Sequence, residues 1–282
     1  MPELPEVETI KRFLEQTILD SQIQRVEIFK DRLFVGDPDL IVNERIKSIY
    51  RRAKLLFISL SKSKHLMIHL KMTGQIVWMP NKQSDEKRLF GHPMPSLLVD
   101  LPSKYTHIII TLNTGILYYN DQRQFGWIKV VDDIGKETAK YGPEPFSSAF
   151  SEQYLNEIFS NTSRQIKTVL LDQRKIAGLG NIYTNDALYL ANINPLRKAN
   201  ILSSVEIKKL RKSIIKVLTH GIKHQGSSQK NYIIPDGRRG KYQEHFKVYQ
   251  QVGQKCNKCK KAEIVKIKQG GRSTFFCPQC QK

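Results

Sequence analysis

The chain has 282 residues, of which 40% are hydrophobic, and its 46 Lys and Arg residues against 26 Asp and Glu give a net charge of +20. This length allows two domains with a small appendage. No stretch approaches the ~20 apolar residues of a membrane span, and the N-terminus lacks the basic start and apolar run of a signal peptide. We therefore expect a cytoplasmic protein, and a chain this basic most often binds nucleic acid or an anionic membrane surface.

The first eight residues read Met-Pro-Glu-Leu-Pro-Glu-Val-Glu. Pro5 suits the first turn of a helix, and apolar residues recur after it at helical spacing, which predicts a first helix. If Met1 is removed, Pro2 becomes a secondary amine that can attack the anomeric carbon of a sugar and form an iminium. Glu3 beside it could donate or shuttle a proton. The alternative is a helix start with acidic residues and no chemistry, and the stretch alone favours that alternative.

Residues 22–130 contain many short apolar runs that are bounded by turn residues, and Asn113-Thr114-Gly115 marks a hairpin. Strands at this spacing predict a β-sandwich or a barrel. Residues 80–104 are rich in Pro, Lys and Ser and are predicted to form a loop.

The hydrophobic period becomes helical after a Gly- and Pro-containing linker around residues 141–145. A capping box, Ser203 to Glu206, opens a long helix that is predicted to reach about His224. Shorter helices are predicted at 152–160, 166–172 and 181–191. Residues 226–245 are polar and Gly-rich, which predicts a mobile loop, and a β-rich cysteine module follows.

All four cysteines lie near the C-terminus, in two Cys-x-x-Cys pairs separated by 17 residues. This spacing is typical of one tetrahedral zinc ion that takes two thiolates from each pair. The zinc should be structural, because four protein ligands leave no open coordination position. A redox pair is the alternative, but the βαβ context of a thioredoxin-like motif is absent. The predicted ligands are Cys256, Cys259, Cys277 and Cys280.

The hairpin between the two cysteine pairs carries Gly270-Gly271-Arg272 at its tip. Residues 255–282 hold eight Lys or Arg residues and one acid, Glu263. A rigid basic hairpin suits a DNA groove and its phosphates. A zinc ribbon that only binds protein is the alternative, and the charge argues against it.

These motifs resemble, in the same order along the chain, those of the bacterial formamidopyrimidine-DNA glycosylases. The opening Pro-Glu-Leu-Pro-Glu-Val-Glu, the segment from Ala177 to Tyr183 and the Gly-Gly-Arg-Ser fingertip carry the resemblance. It implies an α+β multi-domain fold: a helix and β-sandwich (1–135), a linker (136–150), a helix–two-turns–helix domain with a mobile lesion loop (151–245) and a four-cysteine zinc finger (246–282).

The resemblance also assigns chemistry to individual residues. Pro2 would be the nucleophile and Glu3 its proton donor. Lys54, in Arg-Arg-Ala-Lys, would assist β-elimination, and the fingertip Arg272 would grip the backbone at the lesion and assist the second elimination. A solvent-exposed lysine at a strand edge is the alternative for Lys54.

A second set of residues would contact DNA. Met72, Arg123 and Phe125 would fill the gap that the extruded nucleotide leaves. The other predicted DNA contacts are His69, Tyr105, Lys167, Asn181 and Tyr249. For Lys167, a solvated helix lysine is an equally weighted alternative.

This sequence departs from the family's pattern at a few positions of those loops. Lys71 stands for a usual Gly, Gln122 and Gln124 stand for Pro and Arg, and Tyr105 stands for a His that is common in the family. Asn185-Asp186 replaces an Asp-Glu pair, so Asp186 is expected to be a structural or lesion-facing carboxylate.

The implied function is base-excision repair of oxidised purines such as 8-oxoguanine and formamidopyrimidines, by a Pro2 Schiff base and β,δ-elimination. The implied partner is duplex DNA with oxidised bases or abasic sites, and the implied cofactor is one structural zinc ion. We expect a monomer that does not bind membranes and that associates with the nucleoid while it scans. Two alternatives remain: an endonuclease VIII-like glycosylase for oxidised pyrimidines, and an inactive DNA-binding paralogue.

Overall fold

The computed structural model describes residues 1–81, the backbone of 88–91, and residues 101–228 and 240–282. The chain forms two compact units. Unit 1 comprises Met1–Ala139 with His224–Lys241, and unit 2 comprises Lys140–Lys223 with Tyr242–Lys282. None of the helices in these described segments is long and apolar enough to cross a membrane.

Unit 1 begins with helix α1, Leu4–Thr17, which has Pro5 in its first turn and buries Val7, Ile10 and Leu14. Short strands dominate the rest, and a one-turn helix, α2 (Ile134–Thr138), follows them. The strands are β1 (Ile23–Ile28), β2 (Phe34–Val35), β3 (Ile46–Arg52), β4 (Leu55–Leu60), β5 (His65–His69), β6 (Gly74–Pro80), β7 (Arg88–Gly91), β8 (Thr106–Leu112), β9 (Gly115–Asp121) and β10 (Trp127–Val131).

These strands form two five-stranded sheets, with orders β1-β8-β9-β6-β7 and β2-β10-β5-β4-β3. Side chains from both sheets and from α1 share one apolar core, so unit 1 is the predicted β-sandwich. The hairpin of β8 and β9 pairs Leu112 with Gly115, which confirms the turn predicted there.

The interpretation of residues 80–104 as a loop needs one correction. Strand β7 lies inside that segment and pairs with β6, with Ile76 opposite Phe90. Backbone hydrogen bonds to β6 stabilise β7 as a strand, although the Pro and Lys content of residues 80–104 indicated a loop. The rest of this prediction, at 82–87 and 92–100, lies outside the described residues.

Unit 2 contains four helices and one hairpin in its described part, as the change to helical period predicted. The 3-10 turn Tyr242–His245 corrects part of the predicted 226–245 loop, because buried Tyr242 packs against Tyr183. Residues 229–239 of that prediction lie outside the described segments. The elements are α3 (Glu152–Ser160), α4 (Ile166–Leu170), α5 (Asn181–Ala191), α6 (Ser204–Lys223), β11 (Val265–Gln269) and β12 (Arg272–Phe276).

Asp186, in the middle of α5, is completely buried and holds a neighbouring segment of unit 2. Its Oδ1 accepts hydrogen bonds from the backbone nitrogens of Lys247 (3.1 Å), Val248 (3.1 Å) and Tyr249 (3.3 Å). Its Oδ2 accepts one from the Tyr242 hydroxyl at 3.2 Å. With four donors inside the protein, Asp186 has the structural role and not the lesion-facing one.

We expect Asp186→Ala to lower the free energy of unfolding by about 3–5 kcal/mol, because it leaves buried backbone donors without an acceptor. Urea unfolding followed by circular dichroism measures the change. Glu157→Ala, an exposed carboxylate on α3, serves as control and should change stability by less than about 0.5 kcal/mol. A similar small effect of Asp186→Ala would show that the four bonds contribute little.

Candidate functional site

The chain begins in unit 1 with an exposed Met1, and the two residues that follow it pack inside the unit. Pro2 and Glu3 are buried. Glu3 is the N-cap of α1 and forms a reciprocal capping box with Glu6, whose Oε2 accepts from the Glu3 backbone nitrogen at 2.8 Å. Burial lowers the pKa of the Met1 amine below its usual 8.0; the carboxylates of Glu3 and Glu6 oppose this shift, and the charges of Lys54 and Arg123 add to it. Glu3, Lys54 and Arg123 thus all lie within electrostatic reach of the chain start.

Glu6 also binds the segment that follows α6 in sequence. Its Oε1 accepts a hydrogen bond from the Ser227 backbone nitrogen at 2.8 Å. Gly226 packs on the same carboxylate with φ at +79°, and a Cβ there would lie 2.8 Å from Glu6 Cγ. A side chain at position 226 would therefore be both strained and crowded. Glu6 joins the start of the predicted lesion loop to the start of α1.

Lys54 lies in the tight turn between β3 and β4 and is largely buried. The turn contains Ala53 with φ at +57°, a left-handed conformation that is unfavourable for alanine. Arg51 holds it: Nη1 donates to the Ala53 carbonyl at 2.9 Å, and Nε donates to Glu8 of α1 at 3.1 Å. One guanidinium therefore fixes the Lys54 turn to the helix that begins beside Pro2.

His69 ends β5 and is a neutral hydrogen-bond donor. Its Nδ1 accepts from the Lys71 backbone nitrogen at 2.9 Å, which leaves the proton on Nε2. Burial, assisted by the charges of Lys71, Lys54 and the N-terminus, lowers the pKa of His69 to about 3. Its ring packs on Trp127 at 5.8 Å. A neutral imidazole held in this way can donate Nε2–H to a phosphate oxygen.

The three predicted wedge residues lie together at the surface of unit 1. Arg123 Nη1 lies 3.1 Å from the Met72 sulfur, and its guanidinium carbon lies 4.8 Å from the centre of the Phe125 ring. Met72 and Phe125 are about half exposed, at 45% and 54%. Apolar side chains that are exposed beside an arginine suit insertion into a base stack.

Asp121 at the end of β9 holds both wedge loops. Its Oδ1 accepts from the Thr73 hydroxyl and from the Arg123 backbone nitrogen at 3.2 Å. Its Oδ2 accepts from the Gly126 nitrogen at 2.7 Å. Asp121 is fully buried, so its carboxylate depends on these donors. The two loops are therefore one hydrogen-bonded assembly.

Two positions that depart from the family pattern have left-handed backbone. Lys71 has φ at +48° and Gln124 has φ at +54°. A glycine would adopt either conformation without strain, which explains the usual Gly at position 71. The Gln124 side chain accepts a hydrogen bond from Arg32. Gln122 is exposed, and nothing in the described structure explains its identity.

Tyr105 lies before β8 in unit 1, partly buried. Its carbonyl accepts from the Asp121 nitrogen at 3.0 Å, and Lys104 lies 5.3 Å from the centre of its ring. These contacts connect Tyr105 to the wedge assembly, and its contact with DNA stays a prediction.

In unit 2, the finger hairpin of β11 and β12 places Arg272 at an exposed tip. Gln269 pairs with Arg272 across a two-residue turn, and both turn residues have positive φ, +53° at Gly270 and +74° at Gly271. Two left-handed residues are what a tight hairpin of this kind requires, and glycine supplies them without strain. The Gly-Gly pair thus determines where Arg272 points.

Lys167 and Asn181 form hydrogen bonds to the residue that follows Arg272 in the hairpin. The Ser273 carbonyl accepts from Lys167 Nζ at 3.1 Å and from Asn181 Nδ2 at 3.0 Å. Lys167 Nζ also donates to the Thr274 hydroxyl at 2.7 Å, and Lys167 is only 1% exposed. The solvated helix lysine considered for position 167 is therefore wrong, because its ammonium is bound to the hairpin. A DNA contact of Lys167 or Asn181 stays a prediction.

Tyr249 packs its ring between Phe246, at 5.3 Å, and Phe275, at 5.0 Å. Asn185 of α5 accepts from the Phe275 nitrogen at 2.8 Å, so the same helix supports both the finger and the Tyr249 segment. The contact of Tyr249 with DNA stays a prediction.

The four cysteines of unit 2 form one cluster whose sulfur atoms all lie within 4.8 Å of one another. Sulfurs at about 2.3 Å from a tetrahedral zinc ion would be about 3.8 Å apart. Cys256 and Cys280 are 3.7 Å apart, and Cys259 and Cys277 are 3.9 Å apart. The backbone nitrogen of Ala262 donates to Cys259 Sγ at 3.5 Å, as expected for thiolates. The donor set fits zinc and leaves no open position.

Sequence reasoning missed Arg51 and Asp121 and assigned Glu6 no specific contact. Arg51 and Asp121 lie inside motifs that were identified for other residues, so their positions were available but their partners were not. Glu6 and Ser227 are 221 residues apart, and no local pattern signals that pair.

The low pKa of His69 makes unfolding sensitive to acid. The folded pKa of about 3 lies below the ordinary 6.5, so the unfolded chain takes up the proton first and stability is lost as pH falls from 6.5 towards 3. We expect the wild type to lose up to about 1.4 kcal/mol per pH unit more than His69→Gln in this window.

Urea unfolding between pH 7 and 4 tests this expectation. Lys47→Gln, an exposed substitution on β3, is the control and should keep the wild-type slope. Equal slopes for wild type and His69→Gln would contradict a depressed pKa at His69.

Three family models match the chain and together span most of it. The formamidopyrimidine-DNA glycosylase N-terminal domain matches residues 1–128, and the formamidopyrimidine-DNA glycosylase H2TH domain matches residues 141–232. A zinc finger found in FPG and IleRS matches residues 253–282. The last match and the cysteine cluster together identify one structural zinc ion.

Relatives match over the full length. The formamidopyrimidine-DNA glycosylase of Chloroflexus aggregans is 40% identical over 289 residues, covering 100% of this chain and 98% of the relative. That of Pelotomaculum thermopropionicum is 36% identical over 293 residues, covering 100% and 99%.

Solved structures agree with these matches. A Lactococcus lactis FPG variant in complex with a Fapy-dG containing DNA has a TM-score of 0.86 at 35% identity, covering 100% of both chains. The complex between the Lactococcus lactis protein and an abasic site containing DNA has a TM-score of 0.85, covering 99% of both. The protein belongs to the formamidopyrimidine-DNA glycosylase family.

Proposed function

We propose that this protein is a bifunctional DNA glycosylase and abasic-site lyase that removes oxidised purines from duplex DNA, with Pro2 as the nucleophile. The observation that carries the residue assignment is the burial of Pro2, which lies with Glu3 and Lys54 in unit 1. Removal of Met1 would expose the Pro2 nitrogen as a secondary amine at this position.

The first step exchanges one bond at the sugar for another. The neutral Pro2 nitrogen attacks C1′ of the damaged nucleotide, and the bond from C1′ to the base breaks with the electron pair leaving on the base, which takes up the proton that the Pro2 nitrogen loses. Glu3 protonates the ring oxygen, so the sugar opens and a cationic iminium forms between C1′ and Pro2. The iminium withdraws electrons, which allows β- and then δ-elimination of the two phosphates.

The local electrostatics favour this attack. The amine must be neutral, and burial lowers the pKa of the chain-terminal amine in the structure. We expect the same environment to act on the Pro2 amine after processing, so more of it is neutral near pH 7. Lys54 lies close enough to lower that pKa further, and we propose that it assists proton removal during β-elimination.

Extrusion of the nucleotide relies on the wedge assembly of Met72, Arg123 and Phe125. Turning a base out of the duplex costs a few kcal/mol. Apolar side chains that enter the vacated space recover part of that cost by restoring contacts in the stack. Arg123 can donate hydrogen bonds to the unpaired opposite base, while its contact with Phe125 limits its freedom.

DNA backbone contacts would come from both units. In unit 1, neutral His69 would donate to a phosphate; in unit 2, fingertip Arg272 would grip the backbone at the lesion and assist the second elimination. Contacts with phosphates would make binding steeply salt-dependent, and the net charge of +20 is compatible with several such contacts. Tyr105, Lys167, Asn181 and Tyr249 are proposed as further contacts, with Lys167 and Asn181 also holding the fingertip.

We further propose that the protein acts as a monomer in the cytoplasm and associates with the nucleoid while it scans DNA. An endonuclease VIII-like preference for oxidised pyrimidines is the second candidate. One structural relative is the wild-type Lactococcus lactis protein in complex with an oxidised pyrimidine containing DNA, with a TM-score of 0.85. Excision from 8-oxoguanine and thymine glycol duplexes, measured side by side, separates the two preferences.

Borohydride trapping with 8-oxoguanine duplex tests the nucleophile. Wild-type protein that begins at Pro2 should form a covalent adduct. Pro2→Leu should retain Met1, because methionine removal requires a small second residue, and its adduct yield should fall at least about 100-fold. Intact mass defines each N-terminus, and DNA affinity should change by less than about threefold.

Lys47→Gln is the control and should trap like the wild type. An undiminished adduct on Pro2→Leu, mapped by mass spectrometry to a lysine, would overturn the assignment of Pro2.

Arg51 offers a test of how Lys54 is positioned. Arg51→Met removes its bonds to the Ala53 carbonyl and Glu8. We expect the β-elimination rate on abasic-site DNA to fall about 10- to 100-fold, with DNA affinity within about threefold, because misplacement of the reacting groups lowers the rate more than binding.

Arg12→Met is a matched control, since Arg12 also binds Glu8, at 2.9 Å, but is exposed. It should leave the rate nearly unchanged, and Arg51→Lys should be intermediate. An equal loss of β-elimination rate in Arg51→Met and Arg12→Met would show that the rate depends on the ion pair with Glu8 and not on the hydrogen bond to the Lys54 turn.

A further inference from the structure

Unit 2 contains a cavity of about 630 Å³ that the proposed repair chemistry does not use. We call it the finger-base pocket. Apolar and aromatic side chains form its interior: Tyr189 and Leu190 from the end of α5, Val217 from α6, and Tyr242. Cavities of this size with a mostly apolar interior and few polar groups are typical binding sites.

Four lysines also line the finger-base pocket, and we call them its rim: Lys216 and Lys223 on α6, Lys247, and Lys258 in the zinc knuckle. Lys216 and Lys223 are exposed. None of the described residues that line the pocket is acidic. An apolar interior with a cationic rim complements a ligand that is apolar at one end and anionic beside it.

The Lys258 side chain, which forms one wall of the pocket, is held in place by contacts with the end of α5. Its ammonium donates to the Leu190 carbonyl at 3.3 Å and lies 4.3 Å from the centre of the Tyr189 ring. A cation at the last turn of α5 is favourable because the helix C-terminus is negative. The wall therefore belongs to both the helix and the zinc knuckle, and it is built into the folded unit.

The pocket lies at the opposite end of α5 from Asn181 and the fingertip that it holds. Asn181 begins the helix and holds the fingertip at Ser273, whereas Tyr189 is eight residues later. Eight residues of α-helix span roughly 12 Å. A ligand in the finger-base pocket would therefore leave the fingertip accessible.

The interior favours a peptide over additional DNA. Phosphates need cations alone, which the exposed lysines of α6 already offer, and a duplex backbone has no large apolar group to fill 630 Å³. Aromatic or leucine side chains do fill such a space. Acidic neighbours in the same peptide would reach the lysine rim, and disordered acidic segments often bind in this manner.

We propose that the finger-base pocket binds an acidic peptide segment with apolar or aromatic residues at its end, carried by a partner protein, and that it does so while DNA is bound. This inference is independent of the assignment of Pro2.

The experiment uses the full zinc-loaded chain and a fluorescein-labelled peptide, Asp-Glu-Asp-Asp-Gly-Leu-Phe. Fluorescence anisotropy should give a saturable curve with a Kd on the order of 10 µM. Replacement of Leu and Phe in the peptide by Ser should weaken binding about tenfold or more, because the apolar interior would then be unfilled. Binding of the two peptides with equal affinity would overturn the proposal, since charge alone would account for it.

Two substitutions probe the pocket from the protein side. Lys216→Glu reverses a rim charge, and Thr219→Trp places a large side chain at another exposed lining position. Each should weaken the peptide about tenfold. Lys208→Glu is the matched control on the same helix, exposed but not lining the pocket. Equal effects of Lys208→Glu and Lys216→Glu would overturn the proposal.

Addition of lesion duplex decides between the peptide and DNA as occupant. A ternary complex, with peptide anisotropy retained or raised, supports the proposal. Displacement of the peptide by stoichiometric duplex, together with weaker duplex binding by Lys216→Glu, would overturn it and assign these lysines to DNA.

Discussion

The arrangement at the chain start depends on one buried carboxylate. Glu6 accepts the Glu3 backbone nitrogen with one oxygen and the Ser227 nitrogen with the other, each at 2.8 Å. A buried charge is tolerated only when such donors surround it. Because both donors are backbone groups, the carboxylate fixes the course of the main chain at two places. The position of Pro2 and the start of the 226–228 segment are thus determined together.

Buried side chains that accept hydrogen bonds from backbone nitrogens occur in both units. Asp121 joins the two wedge loops, Asp186 joins α5 to the 247–249 segment, and Asn185 joins α5 to β12. In the first two cases a buried polar side chain on a regular element satisfies backbone groups of an irregular segment, and in the third it satisfies a backbone group of the finger hairpin. Loops carry the functional side chains, but loops have few bonds of their own. Bonds of this kind transfer the rigidity of strands and helices to the residues that would contact DNA.

Local patterns in the sequence accounted for the elements and for the zinc ligands. Helical periodicity predicted α1, and cysteine spacing predicted the cluster, because each depends on neighbours a few residues apart. Strand β7 was missed since its pairing with β6 supplies what its own composition does not. The burial of Lys167 was also missed, because its acceptors lie 106 and 107 residues away. Long-range polar contacts leave no periodic trace in sequence.

The departures at positions 71 and 124 show why the wedge assembly tolerates substitution. Left-handed backbone costs a non-glycine residue about 1–2 kcal/mol, so Lys71 and Gln124 each oppose the conformation that they adopt. The bonds of Asp121 to Gly126 and to the Arg123 nitrogen remain, as does the bond from the Lys71 nitrogen to His69. These bonds use backbone donors, which any side chain except proline leaves in place. Loop geometry here is set by acceptors outside the loops, and it therefore persists when the loop side chains change.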